Sequence, residues 1–141
     1  MKRSAKARWD GSIKGGAGKL TTDSGVLSDT QYSFSTRFEN GTGSNPEELI
    51  AAAHAGCFSM ALSGFLESAG QAPTWIETKA TVTLQKEELG FSITGVHLDV
   101  TAEVPGMDAE TFQGAATEAK EKCPVSRVLD TDITMDARLA E

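Results

Sequence analysis

Only two cysteines, Cys57 and Cys123, occur among the 141 residues, so no disulfide framework staples the fold, and a chain that is 39% hydrophobic must bury its core without one. Cation-forming residues are also short: 13 Lys and Arg stand against 20 Asp and Glu, giving a net charge of −7. The few that exist are scattered, and the acidic balance repels phosphate backbones, which argues against a nucleic-acid partner. The two cysteines and His54 fall short of any spaced zinc motif, so neither a metal nor another cofactor is expected. The basic start from Met1 to Gly11 is followed by Gly and Lys instead of an apolar run, so no signal peptide is expected and the protein is placed in the cytoplasm. From Leu49 to Leu66 there is no charged residue at all. That stretch nears the length of a membrane span, but it is mostly Ala, Gly and Ser with His54 inside it, which suits close helix packing in a soluble core; no membrane partner is expected. With no internal repeat and no linker, residues 1–141 read as one domain.

What is there is strongly patterned. Ala5, Ala7 and Trp9 alternate with Lys6 and Arg8, and Tyr32, Phe34 and Phe38 alternate with Ser33, Ser35 and Arg37. Both runs predict strands with one apolar face, joined through the Gly15–Gly18 and Asp23–Gly25 turns into an N-terminal meander. Lys14 to Lys19 has the wrong glycine spacing for a phosphate loop and reads as a hairpin turn. Asn45-Pro46-Glu47-Glu48 is a helix start, with Asn as cap, Pro in the first turn and acids at the positive dipole end. The helix is predicted to run to about Ala69, to close at Gly70, and to be buried nearly all round. Ala80, Val82 and Leu84 then alternate, and after a turn at Glu88–Gly90 the apolar parity switches from Phe91 and Ile93 to Val96, Leu98 and Val100. One inserted residue reverses an alternation, so a bulge is expected at Gly95. Pro105-Gly106 ends that strand, and a helix from about Asp108 carries the stripe Phe112, Ala115, Ala116, Ala119, which extrapolates to a core-facing Cys123. A last strand follows from Ile133 to Leu139. Strands, helix, hairpin, helix and strand make an α+β fold.

A chain in a reducing compartment has little use for a structural disulfide, so two cysteines in distinctive settings point to thiol chemistry. Cys57 lies well inside the long helix, where the dipole does little for it; a reactive thiolate there requires an imported cation, and Arg37 is the best supply. Cys123 precedes Pro124, which makes it a plausible cap of a turn from Pro124 to Leu129, and a helix start beside Lys122 would favour its thiolate. On local physics Cys123 is the more acidic thiol. Either cysteine could equally be a buried apolar residue. His54, one turn before Cys57, could be a base, a ligand or a hydrogen-bonded packing residue, and His97 reads as surface.

The segment Asn45-Pro-Glu-Glu-Leu-Ile-Ala-Ala-Ala-His-Ala-Gly-Cys-Phe-Ser-Met60, together with Cys123-Pro-Val-Ser126, resembles the OsmC/Ohr family of osmotically inducible and organic hydroperoxide resistance proteins. The similarity extends from Ala7-Arg-Trp9 to the last strand, and His54 with Thr36-Arg37-Phe38 is closer to the OsmC branch. The resemblance implies an antiparallel sheet wrapped around a long buried central helix in an intertwined homodimer. It implies a thiol-dependent peroxidase that reduces organic hydroperoxides in oxidative and osmotic stress defence. On it, Cys57 is the peroxidatic cysteine and Cys123 the resolving one, closing a disulfide that an external dithiol of lipoyl or thioredoxin type reduces. Arg37 matches the arginine that holds the thiolate, and Glu47 the acid that orients the guanidinium, with Glu48 as its neighbouring substitute. Ten residues of straight helix would separate Glu47 from Cys57 by about 15 Å. Arg37 must then bridge them, the helix must break, or the glutamate must serve the other subunit's cysteine. Two other readings compete: a peroxide-responsive sensor or binding module without turnover, and a metal protein using Cys57, Cys123 and His54.

Overall fold

A computed structural model describes residues 1–141. Its contacts fall into two compact units, Met1–Leu49 and Ile50–Glu141.

In the first unit, β1 (Ala5–Asp10), β2 (Ala17–Thr22) and β3 (Thr30–Tyr32) form an antiparallel sheet in that order. The Lys14–Lys19 region supplies the β1–β2 turn and the start of β2, as expected of a hairpin. Trp9 and Tyr32 meet across the sheet as a tilted pair with ring centroids 5.4 Å apart. Gly18 lies beneath that pair, where a Cβ would stand 2.2 Å from the Tyr32 ring. The predicted strand through Phe34 and Phe38 is corrected: after β3 the chain turns into a short helix, α1 (Phe34–Phe38). Ser33 and Thr36 close a reciprocal capping box, with the Ser33 hydroxyl accepting from Thr36 N–H and the Thr36 hydroxyl accepting from Ser33 N–H. Phe34 and Phe38, four apart, then pack as a tilted pair with ring centroids 4.9 Å apart along one helix face.

The long helix α2 (Pro46–Ser68) begins as its sequence predicts, with the Asn45 side chain accepting from Glu48 N–H at 2.8 Å. Gly70, at φ +95°, closes it in a conformation other side chains resist. Within one chain the burial of α2 is one-sided. Within the second unit α2 buries one stripe, His54, Phe58, Leu62 and Leu66, each fully enclosed at the i, i+4 spacing of a single face. The opposite side, through Ala53, Gly56, Met60 and Gly64, is exposed, with Met60 at 80%. One sheet can cover only one side of a helix.

That sheet has the order β4-β5-β6. The hairpin of β4 (Trp75–Glu87) and β5 (Gly90–Glu103) is antiparallel, and its register steps from Thr83↔Gly95 to Leu84↔Ile93. Thr94 is the inserted residue, so the bulge sits next to Gly95, where the parity switch placed it. Beyond it Val96, Leu98, Val100 and Ala102 all point into the core. The wholly antiparallel sheet is corrected here: β6 (Asp132–Leu139) pairs with β5 in parallel. Between them run α3 (Ala109–Lys122), capped by Asp108, and the five-residue α4 (Pro124–Val128), a connection long enough to return the chain to the same end of the sheet. Phe112, Ala115, Ala116 and Ala119 of α3 complete the core, and Cys123 joins it with no exposure.

Candidate functional site

The Pro124 ring disfavours α geometry at the preceding residue, and α3 ends with Cys123 as its cap while a new helix starts at Pro124. Cys123 accordingly adopts φ −54° and ψ 126°. Its N–H bonds to Ala119 O at 2.9 Å, and its carbonyl accepts from Arg127 N–H at 3.0 Å. It is thus the cap of α4 that its sequence predicts, but the thiol makes no cap hydrogen bond. It turns instead to the helix 66 residues earlier in the chain, where Cys123 Sγ donates to Cys57 Sγ at 3.0 Å.

The two sulfurs differ in access. Both are free thiols; Cys57 is half-buried and Cys123 fully buried. Burial pushes the Cys57 thiol above its ordinary range, and the neighbouring Cys123 thiol adds to this, while the backbone of Val125 works the other way. Val125 lies in the first turn of α4, so Cys57 borrows a little polarity from the start of a helix other than its own. Sequence reasoning missed that contribution, since only packing decides which helix end faces which side chain. Nothing in the second unit makes Cys57 a ready thiolate.

His54 is fully enclosed on the buried stripe of α2, and its Nε2 lies 2.7 Å from Ser126 Oγ. Nδ1 has no partner, and burial lowers the imidazole's proton affinity, which favours the neutral ring. Ser126 was visible in the Cys-Pro-Val-Ser run, but its partner was not. His97 lies half-exposed on the outer sheet face against Thr134 and Asp136. No three His, Cys, Asp or Glu side chains converge in a way that could hold a metal ion.

In the first unit the structure joins the other two predicted residues. Arg37, expected on a strand, is carried by α1, and it grips Glu47 of α2's first turn with Nε at 3.1 Å and Nη2 at 2.8 Å from Oε1. Its guanidinium also lies 5.1 Å from the centroid of the Phe38 ring. The Glu47 side chain is 10% exposed against 38% for Arg37, so the acid is the enclosed partner and the guanidinium reaches outward. Glu48 is exposed, with its N–H on the Asn45 cap, and Glu47 rather than Glu48 is the acid paired to arginine. Of the three routes from Glu47 toward Cys57, the helix break is removed, because α2 runs unbroken from Pro46 to Ser68.

The chain is similar to several known proteins. The family described as OsmC-like protein matches residues 39–138. A peroxiredoxin OsmC of Escherichia coli is 53% identical over 137 residues, spanning 97% of this chain and 96% of its own length. The organic hydroperoxide resistance protein OhrB of Bacillus subtilis is 32% identical over 126 residues, 89% of this chain and 90% of its own. The crystal structure of that OhrB superposes with a TM-score of 0.73, covering 96% of this chain and 98% of that one. An OsmC-like protein of unknown function from Vibrio cholerae reaches 0.76 at 17% identity, over 98% and 99% of the two chains, a likeness of fold alone.

Proposed function

The chain belongs to the OsmC/Ohr family, and from that premise we propose that it reduces organic hydroperoxides to alcohols with Cys57 as the attacking thiolate and Cys123 as the resolving thiol. It is a cysteine-based peroxidase of the peroxiredoxin type, acting in stress defence. The observation that carries the assignment is the 3.0 Å contact between a half-buried sulfur and a fully buried one. A peroxide arriving from solvent meets Cys57 first, and Cys123 waits behind it. Cys57 S⁻ attacks the O–O bond, keeps one oxygen as a sulfenic acid and releases the alkoxide, which leaves as the alcohol. Cys123 then displaces the sulfenic hydroxyl as water and closes the disulfide. An external dithiol of lipoyl or thioredoxin type restores both thiols, in the cytoplasm.

Arg37 is the cation on which the Cys57 thiolate depends. Glu47 occupies Nε and Nη2 and so fixes the plane of the guanidinium, which leaves Nη1 for the peroxide. The test is consumption of cumene hydroperoxide with dihydrolipoamide or thioredoxin as reductant, beside hydrogen peroxide. Repeated turnover with an organic peroxide is expected. A single stoichiometric oxidation with no turnover under either reductant would favour a sensor.

The protein works as a homodimer. The exposed, charge-free side of α2 carries Met60 at 80% exposure, and an apolar helix face of this length calls for cover that one chain does not supply. Sedimentation at low micromolar concentration is expected to show no folded monomer; a stable, active monomer would remove any role for a partner's Glu47.

A further inference from the structure

The cysteine pair is one of two ties between the same two segments. His54 lies three residues before Cys57 on α2, and Ser126 three residues after Cys123 on α4. The His54–Ser126 contact at 2.7 Å therefore forms a second rung parallel to the Cys57–Cys123 contact at 3.0 Å. This rung is fully inside: His54 is 0% exposed and Ser126 8%. Enclosing an imidazole on the buried face of α2, one turn before Phe58, costs free energy that an apolar side chain would not, and the cost is only half relieved, since Nδ1 has no partner. A residue kept there at a net cost calls for a purpose. α4, with five residues, is too short to hold a conformation by itself, and its cap makes no side-chain hydrogen bond. Its placement must come from what it touches.

Resting on the peroxidase reading above, we propose that the His54–Ser126 hydrogen bond is the clasp that holds Cys123 in reach of Cys57 for the resolving step, making both positioning residues for disulfide formation. In that step the S–S bond forms between Cys123 Sγ and Cys57 Sγ, the S–O bond of the sulfenic acid breaks, and the Cys123 thiol proton leaves with the hydroxyl as water. Such a displacement runs fast only when the reacting atoms are held within about 3–3.5 Å. The earlier attack of Cys57 on the peroxide does not involve Cys123 as a reactant, so a loosened clasp reaches it only through the lesser and opposed effects of the Val125 backbone and the Cys123 thiol on Cys57. The sulfenic acid would then live longer, and a second peroxide would convert more of it to sulfinic acid.

The experiment follows one turnover of the full-length protein with cumene hydroperoxide, timing sulfenic acid by trapping and disulfide by loss of free thiol. In Ser126→Ala, disulfide formation is expected to slow at least about tenfold while sulfenic acid formation stays within about twofold of wild type. His54→Leu should behave the same way. His54→Gln, whose amide nitrogen stands near the place of Nε2, should rescue the resolving rate, which a purely structural loss tracked by thermal stability would not allow. If Ser126→Ala does not fold, the contrast between His54→Leu and His54→Gln carries the same expectation. An unchanged resolving rate in Ser126→Ala or His54→Leu, or no rescue by His54→Gln, overturns the clasp. A wild-type protein that forms no disulfide with peroxide overturns the peroxidase reading itself, and the clasp with it.

Discussion

Cys57→Ser is expected to abolish peroxide turnover, whereas Cys123→Ser is expected to react once and stop. A serine hydroxyl is not ionised near neutral pH and is a poor nucleophile toward peroxide oxygen, so loss of Cys57 removes the first step outright, on the order of a thousandfold or more in rate. Cys123 cannot take over, because it is fully buried behind the half-buried Cys57. In Cys123→Ser the attacking sulfur is intact, and its sulfenic acid has no thiol to meet at 3.0 Å. The product should be trappable as the sulfenic acid and, with excess peroxide, appear by mass as sulfinic acid at position 57. The two variants thus separate the roles of the cysteines without reference to any steady-state constant. Oxidation at position 123 in Cys57→Ser, with none at position 57 in Cys123→Ser, would reverse the assignment.

Arg37→Met is expected to lower the rate with organic hydroperoxide by at least about tenfold at neutral pH, because thiolate fraction and alkoxide stabilisation are lost together. The direction follows from the surroundings of Cys57. Burial first, and the Cys123 thiol after it, already hold the Cys57 thiol above its ordinary range, with only the Val125 backbone opposing them. The imported cation has to lower the thiol against these effects, and in Arg37→Met that lowering is lost, so less of the thiol is ionised at any pH below its midpoint. The deficit should therefore narrow as pH rises and the thiol ionises unaided, leaving the part due to the departing alkoxide. Methionine keeps the stem of the side chain but strands the enclosed Glu47 carboxylate, so a loss of about 1–3 kcal/mol of stability accompanies the change. A domain of this kind can bear that loss and stay folded. Ultraviolet titration of the Cys57 thiolate beside peroxidase rates checks both parts. An unchanged thiol midpoint together with an unchanged rate would place the activating cation elsewhere.

Much of this was legible in the chain because it is local. The Asn45-Pro46 start and Gly70 end of α2, the bulge beside Gly95, the end of α3 before Pro124 and the inward turn of Cys123 each depend on a few neighbouring residues. Caps, parity and helical spacing report those directly. The segment from Ser33 to Phe38 shows the limit even of local reading: Tyr32, Phe34 and Phe38 satisfy a strand alternation, while Phe34 and Phe38 also satisfy a helical step of four, and the Ser33–Thr36 capping box decided between them. The parallel return of β6 and the one-sided burial of α2 were settled by which faces pack, which spacing alone does not encode. The site divides in the same way. By itself the sequence determined that two thiols existed in unusual settings, one inside a helix and one at a helix start, and it carried the motifs of a family. Only the tertiary structure brought Cys57 to Cys123, His54 to Ser126 and Arg37 to Glu47, and exposed one thiol while enclosing the other. Local physics ranked Cys123 as the more acidic thiol, but the order of reaction rests on access as well as acidity, and access is a property of the packed surface that no stretch of neighbouring residues specifies.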